Sequence, residues 1–249
     1  MVERCGITAM NGPLLDFFLT APVACGYLPD RESTSVVADP ACAIGSELYG
    51  VLLDHGFRRS GRVVYRPRCA RCHACVSVRV PVARFSPSRS QRRVWRANQA
   101  VTVVMRQPRF HEAHYRLFRR YQHDQHGDTM AAGQDDDDPR TAYMRFLVQS
   151  TVDTVFHEYW IGERLAGVGV VDRLPQGLST VYFFYDPEAR RRSLGTYSVL
   201  WEIAEARRLD LPYYYLGYWI RESPKMDYKA RFQPLEYWVD GRWQEQAPG

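Results

Sequence analysis

Hydrophobic and polar positions change their spacing along this chain. Toward the N-terminal side short apolar runs at Val63 to Tyr65 and Val76 to Val82 predict strands, set among turn residues Gly26, Pro29, Pro40, Gly56 and Gly61. The stretch from Ser90 to Val103 reads as a basic helix turning into a strand. Beyond about Arg109 the pattern is regular. Tyr115, Leu117, Phe118 and Tyr121 place an amphipathic helix over His111 to His123, Gln134 to Pro139 forms an acidic surface loop, and a second helix covers Thr141 to Gln149. Alternating segments at Thr154 to Ile161, Arg164 to Asp172 and Ser179 to Tyr185 predict an antiparallel meander closed by short turns. Leu194, Val199, Leu200, Ile203 and Ala204 then recur at helical spacing, and Tyr213 to Ile220 returns as an aromatic strand. The change of pattern divides the chain into residues 1–108 and residues 109–249.

Chemistry enters at the junction between the strand ending at Tyr185 and the following helix. Arg190, Arg191 and Arg192 lead into Ser193, Leu194 and Gly195, so guanidinium groups flank a helix N-terminus whose free N–H groups attract an anion. The segment resembles the pyrophosphate loop of the GNAT acyltransferase superfamily, with one glycine where enzymes using acetyl-CoA carry a longer glycine run. The element order of the second region, two helices, three antiparallel strands, loop, helix and strand, is also that of the GNAT fold. The expected architecture is α+β, a GNAT-like mixed sheet flanked by helices, preceded by an arginine-rich, cysteine-containing domain.

Charge sharpens the division. The chain of 249 residues has a formal net charge of +5, yet His55 to His111 holds fourteen arginines and no aspartate or glutamate. The remainder carries 28 acidic against 19 basic side chains. Fourteen unopposed guanidinium groups repel one another unless an anion lies across them, which points to RNA. Phe57, Tyr65, Phe85 and Trp95 interleave with them and serve either base stacking or core packing. The apolar stretch from Pro13 to Leu19 is interrupted by Asp16, so neither a signal peptide nor a membrane span is expected, and the protein reads as soluble and cytoplasmic. Cys69, Cys72 and Cys75 in RCARCHACV supply three closely spaced thiols, with Cys25, Cys42 or His73 available as a fourth ligand. Zinc and an iron–sulfur cluster both remain open.

Only two of the 33 basic residues are lysine, Lys225 and Lys229, and both lie in ESPKMDYKARFQPLE. A compact ammonium on a flexible stem is not interchangeable with a guanidinium. With Tyr228 and Arg231 alongside, this segment is expected to bind a carboxylate.

Seven motifs in order carry a resemblance over nearly the whole chain: CGYLPDR at Cys25, GFRRSG at Gly56, YRPRCARCHACVSVRVPV at Tyr65, FSPSRSQRR at Phe85, YQHDQHGDTM, YDPEARRRSLGTYS and YLGYWIRESPKMDYKARFQPLE. Together they resemble the arginyl-tRNA–protein transferase family, and within it the short bacterial branch of aspartate/glutamate leucyltransferases. Leu28 departs from the C-G-Y-C that longer relatives resemble, which counts against an iron–sulfur cluster. The resemblance implies transfer of leucine from Leu-tRNA to the N-terminal α-amino group of proteins beginning with Asp or Glu. The product would be an N-degron, with neither DNA nor membrane as partner and no cofactor required for the chemistry. It places Arg190 to Gly195, Arg58, Arg59, Arg92 and Arg93 against tRNA, and Lys225, Lys229 and Arg231 against the acceptor carboxylate. Tyr228 or Asp186 would relay the proton, and Cys25, Cys69, Cys72 and Cys75 are the candidate metal ligands. Three alternatives are an arginine donor, an acetyl-CoA N-acetyltransferase and a non-enzymatic zinc RNA-binding protein. The last two leave the arginine field or the paired lysines unexplained.

Overall fold

The computed structural model describes residues 15–127 and 138–248. The chain begins with short strands β1 (Phe17–Leu19), β2 (Val23–Ala24), β3 (Glu32–Ser33) and β4 (Ser35–Ala38), followed by helix α1 (Ser46–Asp54) and strands β5 (Arg58–Ser60), β6 (Val63–Pro67) and β7 (Val76–Pro81). Helix α2 (Arg89–Ala97) opens with a capping box: Ser88 accepts from the Gln91 N–H and the Gln91 side chain accepts from the Ser88 N–H. Strand β8 (Val101–Arg106), helix α3 (Glu112–His126) and helix α4 (Pro139–Tyr143) follow, α4 running into a π-helical turn over Met144–Val148. Asp138 caps α4 and Pro139 occupies its first turn, so this helix starts two residues before the predicted Thr141. Of the predicted acidic loop, Gln134 to Asp137 lie outside the described residues.

The predicted meander forms as strands β9 (Thr154–Ile161), β10 (Arg164–Leu174) and β11 (Gly177–Tyr185). A 3₁₀ turn over Pro187–Arg192 leads into helix α5 (Leu194–Arg208) and strand β12 (Tyr213–Trp219). Helix α6 (Pro224–Asp227) continues as a 3₁₀ turn over Tyr228–Arg231, and the hairpin β13 (Glu236–Val239) and β14 (Arg242–Gln244) follows.

Eight strands form one mixed sheet in the order β14-β13-β7-β12-β11-β10-β9-β8, in which only the β11/β12 pairing is parallel. A second sheet has the order β1-β4-β6-β5. Residues 1–108 therefore supply β7 to the interior of the large sheet and β8 to its edge, so the division at 108/109 does not coincide with a break in that sheet. Helix α5 packs Val199, Leu200 and Ile203 against the apolar side chains of β7 and β12. The opposite layer gathers Leu117, Tyr143, Leu147, Phe156 and Phe184. Among the described residues no helix is long and apolar enough to cross a membrane.

The two sheets are joined by Arg59, whose guanidinium donates to both oxygens of Asp172 at 2.7 and 2.5 Å and to Thr154 Oγ1 at 3.0 Å. Both side chains are essentially inaccessible, at 1% and 0% exposure. Removing one member of such a pair leaves the other charge buried and uncompensated. Asp172→Ala is expected to lose about 3–5 kcal/mol of unfolding free energy in urea titration, whereas Arg59→Met combined with Asp172→Leu recovers most of that loss.

Candidate active site

Strands β11 and β12 run parallel for three residue pairs, Gly177 with Tyr213, Leu178 with Tyr214 and Ser179 with Tyr215, and then part. A bulge between Tyr215 and Gly217 turns β12 away, with Gly217 at φ +85°. The wedge that opens is filled by Arg58 of β5. Its Nη1 donates to Ser179 Oγ at 3.0 Å and its Nη2 to the Thr180 carbonyl. A Cβ at position 217 would stand 3.2 Å from Arg58 Nη2, so glycine there serves both the left-handed backbone and the close approach of the guanidinium.

The next carbonyl along β12, that of Tyr218, accepts from Lys229 Nζ at 2.5 Å. Lys229 comes from the 3₁₀ turn after α6, and its ammonium also lies 3.7 Å from Met226 Sδ and 5.9 Å from the Tyr228 ring centroid. Arg58 and Lys229 are 7% and 6% exposed. Neither has a carboxylate within ion-pair distance among the described residues. Burial pushes the Lys229 ammonium down to about 7, with the neighbouring Arg58 charge acting in the same direction and Cys75 opposing. A buried guanidinium and a buried lysine, with no acid beside them among the described residues, leave this wedge suited to an anion.

Arg58 and Arg59 are thus not available to RNA on the surface, contrary to the expectation from GFRRSG. Both side chains turn inward, one to the wedge and one to Asp172. Lys225 and Arg231 are exposed, so the short turn does not gather the three cations at one point. Tyr228 is 37% exposed beside the wedge, and desolvation of its hydroxyl, with the Glu202 charge acting in the same direction, pushes the phenol up to about 12. Asp186 is committed elsewhere. It caps the 3₁₀ turn by accepting from the Glu188 N–H at 3.1 Å and pairs with Arg120 and with Arg164 Nη2, the latter at 2.7 Å.

Ser193, in the left-handed region at φ 55°, turns the chain from the 3₁₀ segment into α5. Leu194 is buried as the anchor of this turn, while the space beside Gly195 is open. Arg190 pairs with Asp124 at 2.5 Å, and Arg191 pairs with no described residue. Asn98, just past the end of α2, donates to the Arg192 carbonyl at 2.8 Å, and Arg192 Nη1 donates back to Ala97 at 3.4 Å. These bonds bring the exposed Arg92 and Arg93 of α2 onto one surface with Arg190 to Arg192, a hundred residues later in the chain.

The four candidate metal ligands Cys25, Cys69, Cys72 and Cys75 line a single cavity of about 340 Å³ that Tyr65 and Tyr218 close from the wedge side. Cys69 and Cys72 face each other across a β-bridge, Arg31 Nη1 donates to Cys72 Sγ at 3.3 Å, and burial pushes the Cys75 thiol up to about 12. Among the described residues no three His, Cys, Asp or Glu side chains converge as a metal cage. The thiols share a cavity but do not fit a metal in this arrangement.

Sequence reasoning missed the wedge itself. The available signal was Gly217, a glycine inside an apolar strand, which marks a bulge or a close backbone approach.

The C-terminal model of the arginine-tRNA-protein transferase family matches residues 113–239, and the N-terminal model matches residues 23–93. An aspartate/glutamate leucyltransferase of Nitrosococcus oceani is 49% identical over 92% of this chain and 94% of its own length. Its namesake in Pseudomonas aeruginosa strain LESB58 is 44% identical over 92% and 96%. The solved structure of L-PGS from Bacillus licheniformis is 12% identical, covers 68% of this chain and 49% of that one, and has a TM-score of 0.42.

Folded chain loses the Lys229 proton near 7, whereas an unfolded lysine keeps it to about 10.5. Between these values the unfolded state binds more protons, so stability rises with pH across that window, by about 1.4 kcal/mol per unit, and falls back as the pH drops to 7. Chemical denaturation at a series of pH values should show this slope, and Lys229→Met should abolish it.

Proposed function

The chain belongs to the arginine-tRNA-protein transferase family, and we propose that it moves leucine from Leu-tRNA to the N-terminal Asp or Glu of proteins, creating an N-degron. The observation that carries this reading is the wedge between β11 and β12, where Arg58 and Lys229 are buried with no carboxylate beside them among the described residues. An acidic side chain is the partner these cations lack, and an uncharged N-terminal residue would leave them unmatched. The relatives named aspartate/glutamate leucyltransferase, aligned over most of this chain, support leucine as the donor residue.

The remaining assignments follow from the same geometry. A parallel strand pair that parts beside the N-terminus of α5 supports a GNAT-like arrangement, with the turn from Arg190 to Gly195 holding the phosphates or terminal adenosine of the tRNA. Arg92 and Arg93 extend that surface. Lys225 and Arg231, exposed on either side of Lys229, draw the acidic N-terminus toward the wedge. The free amine attacks the ester carbonyl, so the new C–N bond forms as the C–O bond to the ribose breaks. The amine gives up a proton and the departing ribose oxygen gains one. An α-amino group with a pKa of about 8 is already about one-tenth free amine at neutrality, so positioning carries more of the rate than a strong base. Tyr228, a phenol that stays protonated, is the residue we assign to donate to the developing oxyanion. Asp186 has no oxygen to spare for a proton relay. The thiol cavity enters no step of the transfer. The cytoplasm, where charged tRNA is present, is the expected site of action.

Incubation with peptides beginning in Asp, Glu or Ala and separately charged Leu-tRNA and Arg-tRNA tests the reading. Leucine is expected on Asp and Glu peptides alone, and transfer to Ala at the same rate would refute it. Lys229→Met is expected to lower kcat/KM for the Glu peptide about 10- to 100-fold, the scale of one hydrogen bond to a charged group, with tRNA affinity unchanged.

A further inference from the structure

Helices α2 and α5 lie side by side and leave a groove of about 300 Å³ between them. Its floor is apolar: Phe85, Leu200 and Ile203 are buried, and Trp95 is half-buried against Tyr197 with ring centroids 5.5 Å apart. Its rim carries three guanidinium groups, Arg92, Arg96 and Arg207, and no acidic side chain lines it. Arg207 Nη2 is fixed there by the carbonyls of Val82 and Phe85 at 2.6 and 2.9 Å, and Arg92 Nη1 by that of Pro87 at 2.6 Å. Arg96 pairs with no described residue. An apolar slot under a cationic rim fits a ligand with a flat, weakly polar body and an anionic handle. One unstacked nucleotide has that chemistry, base below and phosphate above.

The groove also continues the basic surface already described, because α2 ends at the residues that hydrogen-bond Arg192. Leu200 stands six residues into α5, so the groove opens about 9 Å from the helix N-terminus at 1.5 Å per residue. That is within one or two nucleotides of the turn from Arg190 to Gly195. We propose that the α2/α5 groove takes one of the unpaired nucleotides preceding the esterified adenosine of the tRNA, its base against Trp95 and its phosphate between Arg92 and Arg96. The proposal rests on the tRNA-dependent reading given above.

Two variants test it without disturbing the core. Ala204→Trp, at an exposed position lining the groove, fills the slot and keeps its charge, while Arg96→Glu reverses the charge and leaves the slot open. Affinity is read by fluorescence anisotropy with deacylated tRNA, and in parallel with the same tRNA trimmed of its unpaired 3′ nucleotides; thermal melts confirm folding. Each variant is expected to weaken binding of intact tRNA about tenfold and to leave the weaker binding of trimmed tRNA unchanged, with the loss in transfer falling on KM for Leu-tRNA. Equal losses with intact and trimmed tRNA would place the contact on the duplex and overturn the proposal. So would unchanged affinity in both variants. A wild-type protein that transfers no leucine from tRNA would instead bring down the functional reading, and the groove assignment with it.

Discussion

A buried guanidinium group holds the two strands at the centre of this fold in the geometry that makes a site. Once β11 and β12 separate, the carbonyls of Thr180 and Tyr218 need donors that the sheet does not supply. Arg58 and Lys229 provide them, and their origins tie the molecule together: one comes from the small N-terminal sheet and the other from the turn after α6. The hydrogen bonds satisfy the backbone but not the charge. Water is largely excluded and among the described residues no carboxylate stands nearby, so the wedge keeps an electrostatic demand that an anion would meet.

The acid-free arginine segment divides into two populations. Arg59 finds Asp172, and Arg79 finds both Asp54 and Glu236 at 2.8 and 2.7 Å, with its guanidinium 3.5 Å from the Tyr213 ring centroid. Those acids come from outside the segment, so local charge bookkeeping overstates how many of its arginines await a ligand. The second population, on α2, stays exposed and is joined to Arg190, Arg191 and Arg192 by the bonds at Asn98. A planar group with five fixed donors serves both populations: it forks onto carboxylates inside and keeps its donors turned to solvent outside.

Local elements were legible where side-chain spacing reports burial directly. The meander β9 to β11, α5 and β12 fall close to their predicted bounds because each buries a face that its own sequence marks. Lys225, Lys229 and Arg231 were grouped by adjacency, yet Lys229 points inward while the other two face solvent. A short helical turn sends residues a few positions apart to different sides, and no hydrophobic pattern marks a lysine as the buried one. Cys25, Cys69, Cys72 and Cys75 line one cavity, but proximity in CARCHAC does not make a cage among the described residues.

By itself the sequence determined the order of elements, the uneven placement of charge and the seven motifs that mark the family, because each is written in neighbouring residues. Tertiary structure alone decided which arginines remain free. Arg58 and Arg59 are adjacent and chemically identical, but successive strand residues project to opposite faces. One therefore enters the wedge beside Ser179, 121 positions away, and the other closes on Asp172, 113 positions away. Partners at such separations are selected by packing of the whole sheet, so the role of each guanidinium is fixed only when the chain has folded.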